Sequence, residues 1–347
     1  MIKPVSHASA IPKDAIDQAQ KHIADILSLA IEYTDVHAAV VVYDERCDLA
    51  AALAEAYRRV LPKARFIDFD RVTQQSVLAE FEKLKPSDLV VLIQSTNFRL
   101  EAFRIRVELF KHSIKVIEHP HLGRMQGVEP LYYIDSLAYD ADYYRGLGRG
   151  LKERIDQAGG GVVDSGGEKL VFASAFEPAK LNVGDYTGMR NVGGQFPIGE
   201  VFTEAKNLDA VNGRVRVCVF GDVTFTANKP DKPITLEVVR GRVAHVIDSN
   251  AEFDKVIANI RADEGEVWVR ELGFGLNRAL TAERIVRDIG TFERMCGVHL
   301  SLGAKHGLYK KAGFPDKTAR HHVDIFAVTK TVTLGDAIVF QNGAWQA

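Results

Sequence analysis

The stretch AAVVVYD at residues 38–44 decides the fold of the first part of the chain. It is continuously apolar, which is typical of a strand that is buried on both faces of a sheet. Asp48 follows after a short break and is a candidate N-cap for a helix over LAAALAEAYRRVL, where apolar residues recur at helical spacing. A buried strand followed by an amphipathic helix is the repeating unit of a parallel α/β sheet.

The same unit recurs through the first 120 residues. Further strands are predicted at ARFIDFD (64–70), SDLVVLIQS (87–95) and IKVIEH (114–119), and helices between them at SVLAEFEKL (76–84) and residues 99–112. No G-x-G-x-x-G motif and no P-loop follows any of these strands. We therefore expect a scaffold or substrate-gating domain in preference to a nucleotide-binding one.

After Pro120 the pattern changes. A helix is predicted at about residues 145–158, ended by the Gly159-Gly160-Gly161 loop, and beyond it short alternating runs dominate. Gly241 supplies the turn of a tight hairpin in VRGRV (239–243). The predicted fold class is α/β, with an N-terminal parallel α/β (Rossmann-like) domain at residues 1–140 and a largely antiparallel α+β domain at residues 141–347.

The composition excludes several classes of protein. A net charge of −2, with no basic run interleaved with aromatic residues, gives no reason to expect a nucleic-acid partner. Cys47, Cys218 and Cys296 lie far apart, without the spacing of a metal site or a disulfide framework, which favours a reducing compartment. No stretch resembles a signal peptide or reaches the roughly 18 to 20 apolar residues of a membrane span. We expect a soluble cytoplasmic protein.

Four segments of the second half carry polar residues among apolar neighbours. In GGQFPIGEVFTEA, Glu200 lies where an apolar strand leaves a Gly/Pro turn, and in VRELGFGLNRAL, Glu271 meets a predicted Gly-x-Gly turn. In FERMCGVHLSLG, Glu293 and His299 have the same parity if the residues between them are extended. Taken singly, such a glutamate is usually a solvated loop residue, and such a histidine is more often a core residue than a ligand.

The fourth segment, HHVDIFAV (321–328), places His322 and Asp324 on one face of a strand whose other face is apolar. Together the four segments offer three glutamates, two histidines and one aspartate, which are the donors that suit Zn, Mn, Co or Fe(II). Carboxylates that bridge, with one histidine for each ion, are what a two-metal hydrolytic site requires. The set therefore predicts a metal centre.

The order of these segments resembles the aminopeptidase T family, the metallopeptidases of the leucyl aminopeptidase T, PepS and AmpS type. The resemblance rests on GEVFTEA, ELGFGLN, a Glu–Gly–His strand ending in Leu-Gly, and His-x-Asp, and it covers residues 190–343. It implies a hydrolase that removes N-terminal residues from short peptides by means of two divalent metal ions, Zn, Co or Mn. It also implies that the first domain covers the metal cleft and that the protein is a homodimer.

The resemblance also implies roles for single residues. Glu271 would bridge the two ions, and either Glu293, which is also a candidate ligand, or Glu200 would act as the general base. The positions that match metal-binding residues of the family are Glu200, Glu271, Glu293, His299, His322 and Asp324.

The chain departs from the family pattern near the first ligand histidine. Val298 stands where the family usually has threonine, and His306 stands where it has a tyrosine that is thought to hydrogen-bond the reacting carbonyl oxygen. Tyr309 follows three residues later. His306 and Tyr309 are therefore the candidate catalytic donors, beside the interpretation of His306 as an ordinary loop residue.

Two other functions remain open from the sequence. The related 2,5-dihydroxypyridine dioxygenases hold a single Fe(II) with two histidines and one carboxylate, and their His-x-Asp matches His322 and Asp324. Glu271 occupies the position of their other histidine, which breaks that triad. A non-catalytic homologue that keeps the fold and a metal ion is the third alternative, motivated by the altered tyrosine position.

Overall fold

The computed structural model describes residues 11–100, 104–311, 313–314 and 318–346. It divides the chain into two compact units. Unit 1 takes the described residues up to 141 together with residues 184–197, and unit 2 takes residues 142–183 and those from 198 onward.

The α-helices in chain order are α1 (Lys13–Asp25), α2 (Asp48–Val60), α3 (Gln74–Phe81), α4 (Ile105–Lys111), α5 (Glu129–Ser136), α6 (Ala141–Gln157), α7 (Ala251–Glu264) and α8 (Ile289–Phe292). Alpha-helix α1 continues into a π-helical turn at Ile26–Ala30, and 3₁₀ turns lie at Leu122–Arg124 and Leu208–Ala210. In the part of the chain that the structure describes, no helix combines the length and apolarity needed to cross a bilayer.

The strands of the first 200 residues are β1 (Ala39–Tyr43), β2 (Arg65–Asp68), β3 (Leu89–Ile93), β4 (Lys115–His119), β5 (Gly161–Asp164), β6 (Lys169–Phe172), β7 (Lys180–Asn182) and β8 (Gly193–Gln195). The remaining strands are β9 (Glu200–Glu204), β10 (Val211–Gly221), β11 (Ala227–Asn228), β12 (Ile234–Val239), β13 (Arg242–Ile247), β14 (Val269–Gly275), β15 (Gly297–Leu302), β16 (Val323–Ala327), β17 (Thr331–Leu334), β18 (Ala337–Gln341) and β19 (Ala344–Trp345).

Unit 1 is built on a parallel sheet in the order β2-β1-β3-β4-β8. Every residue of β1 and β3 is buried, as their unbroken apolar runs predict. Alpha-helix α2 starts at Asp48 itself, and Cys47 precedes it without a side-chain cap, so the predicted capping role of Asp48 is wrong. The predicted helix at 99–112 is shorter, beginning at Ile105, and residues 101–103 lie outside the described residues.

Residues 184–197 belong to unit 1, although the sequence pattern assigns them to the second domain. Their strand β8 pairs in parallel with β4, with Gly193 opposite Val116. Gly193 has φ of +95°, and a Cβ there would lie 2.9 Å from the carbonyl carbon of Val116. Only glycine allows this close approach, which is why the strand has no apolar pattern that would reveal it.

Unit 2 is built on a large antiparallel sheet in the order β19-β18-β17-β5-β6-β10-β16-β15-β14-β9-β7, with β11, β12 and β13 attached at β10. The hairpin between β12 and β13 turns at Arg240 and Gly241, which both have positive φ, and the predicted turn is confirmed. The preceding α6 begins at Ala141, four residues before its predicted start. The predicted fold class, a parallel α/β part followed by a largely antiparallel α+β part, is confirmed.

Candidate metal centre

Four neighbouring strands of unit 2, β9, β14, β15 and β16, bring the candidate residues to one face of the sheet. Across the β9–β14 ladder, Glu200 lies opposite Gly275, and across the β14–β15 ladder, Gly273 lies opposite His299. Alternate residues of a strand point the same way, so Glu271 shares the face of these two glycines. The antiparallel register thus brings Glu200, Glu271 and His299 onto one surface. Glu200 and Glu271 are 71 positions apart in the chain, and Glu271 and His299 are 28 positions apart.

The fourth strand extends this face. Asp324 of β16 pairs with Ser301 of β15, which lies two residues after His299 and on the same side. A register shift between Val269 and Leu272 lets the backbone N–H of Glu271 donate to Ser301 Oγ at 3.0 Å. The bulge therefore anchors the Glu271 backbone at the site.

The sequence predicts a turn at the Gly-x-Gly element after Glu271. This prediction is wrong, because both glycines lie within strand β14. A Cβ at position 273 would lie 2.6 Å from His299 Nδ1 and nearer still to two other ring atoms. A Cβ at position 275 would lie 2.8 Å from the carbonyl carbon of Met295. Gly273 thus leaves room for the His299 ring beside its strand, and Gly275 allows the close approach of the Met295 backbone.

Glu200, Glu271 and His299 form a compact group that we call the three-donor cluster. His299 Nε2 lies 3.3 Å from Glu200 Oε1 and 3.3 Å from Glu271 Oε1, and all three side chains are buried. One ligand atom from each residue lies within 4.8 Å of the other two. Since protein ligands bind zinc at about 2.0–2.2 Å, such a spacing accommodates one ion between the three atoms. The cluster could hold a divalent metal ion.

The charges of the cluster are strongly linked. Burial disfavours the imidazolium of His299, but Glu200 and Glu271 outweigh that effect and raise the pKa of His299 well above its usual value. Burial would raise the pKa of Glu271, but its hydrogen bonds with His299 and His306 lower it below the usual value. The cluster thus favours a positive charge at its centre, which a metal ion would supply.

His322 and Asp324 lie together beside the cluster, as their spacing predicts. His322 immediately precedes β16, and its Nε2 lies 3.2 Å from Asp324 Oδ1. His322 Nδ1 lies 3.1 Å from the carbonyl oxygen of Lys305, an acceptor, so the ring carries a proton on Nδ1. A histidine held in this way through one nitrogen presents the other to a metal ion. Burial opposes charge on His322, but Asp324 outweighs it and raises the pKa of His322 to about 10.

Glu293 reaches the site from a different element than predicted. It follows the short helix α8 in helical conformation, and β15 begins only at Gly297, so Glu293 and His299 do not share an extended strand. The Glu293 carboxylate pairs with Arg294. Burial raises the pKa of Glu293 well above its usual value, and the Asp324 and Glu200 charges add to the rise against the effect of Arg294. Glu293 is therefore the carboxyl group of the site that is best suited to hold a proton.

His306 lies against the three-donor cluster. It is 5% exposed, and its Nε2 lies 2.9 Å from Glu271 Oε2. The backbone N–H groups of Leu308 and Tyr309 donate to His306 Nδ1 at 3.2 and 3.3 Å. An acceptor nitrogen carries no proton, so the neutral ring has its N–H on Nε2, the nitrogen that faces Glu271. His306 thus presents an N–H at the site, whereas His322 has a proton on Nδ1.

Tyr309 follows on the same loop, but its hydroxyl is engaged elsewhere. It donates to the carbonyl oxygen of Pro178 at 2.8 Å and lies 3.3 Å from that of Phe202. Burial raises the pKa of Tyr309 above its usual value. The structure does not bring the Tyr309 hydroxyl to the three-donor cluster, and of the two candidate donors only His306 contacts it.

One charged side chain beside the cluster is not indicated by any sequence pattern. Arg294 is buried, donates to Glu293 and to the carbonyl oxygen of Gly290, and its Nη2 lies 3.8 Å from Glu200 Oε2. It holds a positive charge between two candidate ligands. The only sequence signal is an arginine directly after Glu293 in an otherwise apolar run, which is also common on helix surfaces.

Of the comparisons with known proteins, the one with solved structures finds a similar fold. No protein-family model matches the chain, and no curated protein sequence matches it. Among solved structures, wild-type AmpT from Thermus thermophilus, an aminopeptidase T, superposes with a TM-score of 0.58. The sequences are 13% identical, and the alignment covers 95% of this chain and 99% of that one. The chain therefore has the AmpT fold, as the resemblance implied.

Proposed function

We propose that this protein is a metal-dependent aminopeptidase that removes N-terminal residues from short peptides. The observation that carries the proposal is the buried three-donor cluster, with the His322–Asp324 pair beside it, on one face of a sheet with the AmpT fold. Buried carboxylates are costly unless a positive charge joins them, and the donor spacing of this cluster fits one metal ion.

Glu200, Glu271 and His299 have the geometry to hold one divalent ion. A second ion at His322 and Asp324, with Glu271 shared between the two, is proposed from the family resemblance. The residues fit such ions by two observations. Buried ligand atoms of Glu200, Glu271 and His299 lie within 4.8 Å of one another, and the buried Asp324 Oδ1 has no hydrogen-bond partner among the described residues. Zn, Co or Mn bound there would polarise the substrate carbonyl and acidify a water molecule.

Glu293 is the proposed proton carrier. A general base must accept the proton of the attacking water and deliver it to the leaving amine, which requires a carboxyl group with a raised pKa. Burial, Asp324 and Glu200 raise the pKa of Glu293, and the Arg294 guanidinium fixes one of its oxygens. In this assignment Glu293 accepts the proton of the water and passes it to the leaving amine, and Arg294 orients the Glu293 carboxylate.

His306 is the proposed donor to the oxyanion. Its Nε2–H is fixed by two backbone hydrogen bonds to the other ring nitrogen, so the group is organised before the substrate arrives. In the substrate-free protein this nitrogen lies 2.9 Å from Glu271 Oε2. In the reaction it would turn to the developing negative charge, in place of the phenol that the family has.

The preference for a free N-terminus is proposed from the family resemblance, and carboxylates that are not committed to a metal ion would be its binding partners. The candidate carboxylates Glu200, Glu271, Glu293 and Asp324 are partly neutralised by Arg294 and the histidines. The α-ammonium group of a peptide is a cation of the right sign to bind beside them. We further propose, from the family resemblance alone, that unit 1 limits access to small or extended substrates and that the protein works as a homodimer in the cytoplasm.

The test is a panel of aminoacyl-nitroanilides, assayed with protein stripped of metal and then supplied with Zn, Co or Mn. We expect release of nitroaniline that depends on the added metal and is abolished in His299→Ala. Failure of every member of the panel with every metal would contradict the proposal. Oxygen uptake with Fe(II) and a dihydroxypyridine would instead identify a ring-cleaving dioxygenase, and stoichiometric metal without turnover a non-catalytic homologue.

A further inference from the structure

Behind the candidate metal centre lies a buried arginine that none of the assigned roles uses. Arg270 precedes Glu271 on β14 and is 1% exposed, the largest of the side chains that are almost completely buried among the described residues. Its guanidinium pairs with Glu204, which is fully buried on β9. The guanidinium of a buried arginine has five N–H donors that need hydrogen-bond acceptors, and the groups that accept from them indicate its role.

Both terminal nitrogens of Arg270 donate hydrogen bonds to a single loop. One terminal nitrogen donates to the carbonyl oxygen of Ala304, and the other donates to that of Tyr309 at 2.8 Å. Residues 304–309 form the loop between these two anchors, which we call the clamp loop. One rigid planar group therefore holds both ends of the loop, an arrangement that a lysine with its single nitrogen cannot reproduce.

The clamp loop places two parts of the candidate site. It carries His306, whose Nε2 lies 2.9 Å from Glu271 Oε2, and it carries the Lys305 carbonyl group that receives the Nδ1 proton of His322. The tautomer of His306 and the orientation of the His322 ring are thus set by the position of this loop. Displacing it would free His306 from Glu271 and would remove the group that turns His322 Nε2 to Asp324.

Lys311 completes the support. Its ammonium group lies 3.7 Å from Glu204 Oε2 and 2.9 Å from Glu177 Oε1, and it donates to the carbonyl oxygen of Lys206. Glu204 is therefore shared between Arg270 and Lys311, which lie before and after the clamp loop in the chain. Glu204 and Glu177 thus neutralise Arg270 and Lys311, and this balance does not involve the carboxylates of the three-donor cluster.

We propose that Arg270, neutralised by Glu204, is a positioning residue that holds the clamp loop and thereby fixes the tautomer of His306 and the orientation of the His322 ring. The inference rests on the proposed function only for its effect on turnover. Its structural content concerns the metal-free protein and can be tested whether or not the protein is an enzyme.

The direct test is NMR of metal-free protein labelled with ¹⁵N-histidine, because protonated and unprotonated ring nitrogens have well-separated shifts. His306→Gln and His322→Gln variants assign the two residues. In the wild type we expect His306 to carry its proton on Nε2 and His322 to carry a proton on Nδ1, and a His306 protonated on Nδ1 alone would overturn the proposal without any arginine variant.

The variant test uses Arg270→Lys, which keeps a positive charge for Glu204 but cannot reach both anchors. We expect the His306 signal to become that of a mixture of tautomers, and metal affinity, measured by calorimetry, to fall about 10- to 100-fold through His322. In an active enzyme kcat should fall at least about tenfold with little change in KM, and adding His306→Ala should cause little further loss. If Arg270→Lys does not fold, Glu204→Leu combined with Arg270→Met removes the pair without leaving a buried charge.

Arg242→Lys is the matched control, since Arg242 pairs with Glu266 and Asp209 and has no contact with the clamp loop among its described partners. It should leave the histidine signals, metal affinity and kcat unchanged. Wild-type histidine signals and metal affinity in the Arg270 variants would overturn the proposal, even in an active peptidase. Absent peptidase activity combined with the expected signals would instead contradict the proposed function and leave the positioning role supported.

Discussion

Gly273 lies directly opposite His299 on neighbouring antiparallel strands, and the imidazole occupies the space that a side chain at position 273 would fill. This pair makes the candidate metal centre possible. The His299 ring can reach Glu200 and Glu271 only because the strand beside it presents hydrogen atoms in place of a methyl group.

Gly273→Ala should therefore displace His299 and empty the three-donor cluster. Overpacking of this kind costs about 1–3 kcal/mol of stability, so we expect a folded protein with reduced metal content by elemental analysis. Gly146→Ala is the control, because Gly146 lies in helix α6 with nothing within 4 Å of a new Cβ. That substitution should leave the metal content intact, and an undiminished metal content in Gly273→Ala would contradict the assignment of His299.

Substitution of Glu271 and substitution of Glu200 should reduce the bound metal content to different extents. The two oxygens of Glu271 face His299 and His306, whereas Glu200 faces His299 with one oxygen and Arg294 with the other. If Glu271 is shared between two ions, Glu271→Gln should lose both and Glu200→Gln should mainly weaken one. Elemental analysis of the two dialysed variants distinguishes them, and full occupancy in Glu271→Gln would show that Glu271 does not bridge.

His306 and Tyr309 offer a matched pair of substitutions on one loop. His306→Ala should lower kcat by roughly 100- to 1000-fold, the usual effect of losing one oxyanion donor. It should leave the metal content unchanged, and His306→Tyr should restore part of the rate. Tyr309→Phe removes hydroxyl contacts with Pro178 and Phe202, so it should reduce stability more than kcat. The reverse ranking of the two kinetic effects would move the donor role to Tyr309.

In unit 1, His119 predicts a pH-dependent stability. The fully buried ring lies 2.8 Å from the hydroxyls of Tyr57 and Tyr133, and burial lowers the pKa of His119 to about 3. The unfolded chain takes up this proton near pH 6.5, so the stabilisation is complete above that pH and decreases as the pH falls toward 3, by about 1.4 kcal/mol per pH unit. Urea unfolding from pH 7 to 5 should show this slope in the wild type beyond that of His119→Gln. Equal slopes would show that His119 is not buried in its neutral form.

The sequence predicts those features that depend on neighbours in the chain. The apolar run 38–44 is buried along β1, the turn at Gly241 needs only local geometry, and His322 and Asp324 are close because of their spacing. The convergence of Glu200 and His299 required a family resemblance, since no local pattern encodes the register of strands 99 residues apart.

The features that were not predictable depend on remote partners. The sequence predicts a turn at Gly273 because a glycine that clears space for a ring on another strand leaves the same local pattern. No sequence pattern indicates that Arg270 and Arg294 are buried, since only their partners Glu204, Glu200 and Glu293 make burial of a guanidinium possible. Residues 184–197 return to unit 1 through a glycine strand without an apolar pattern.

The central claim is that Glu200, Glu271 and His299 bind a divalent metal ion. An anomalous difference map at the zinc absorption edge, from crystals of zinc-reconstituted protein, tests it most directly. We predict a peak at about 2.0–2.2 Å from His299 Nε2 and from one carboxylate oxygen each of Glu200 and Glu271. Zinc bound only at other positions, with no peak between these three residues, would contradict the account.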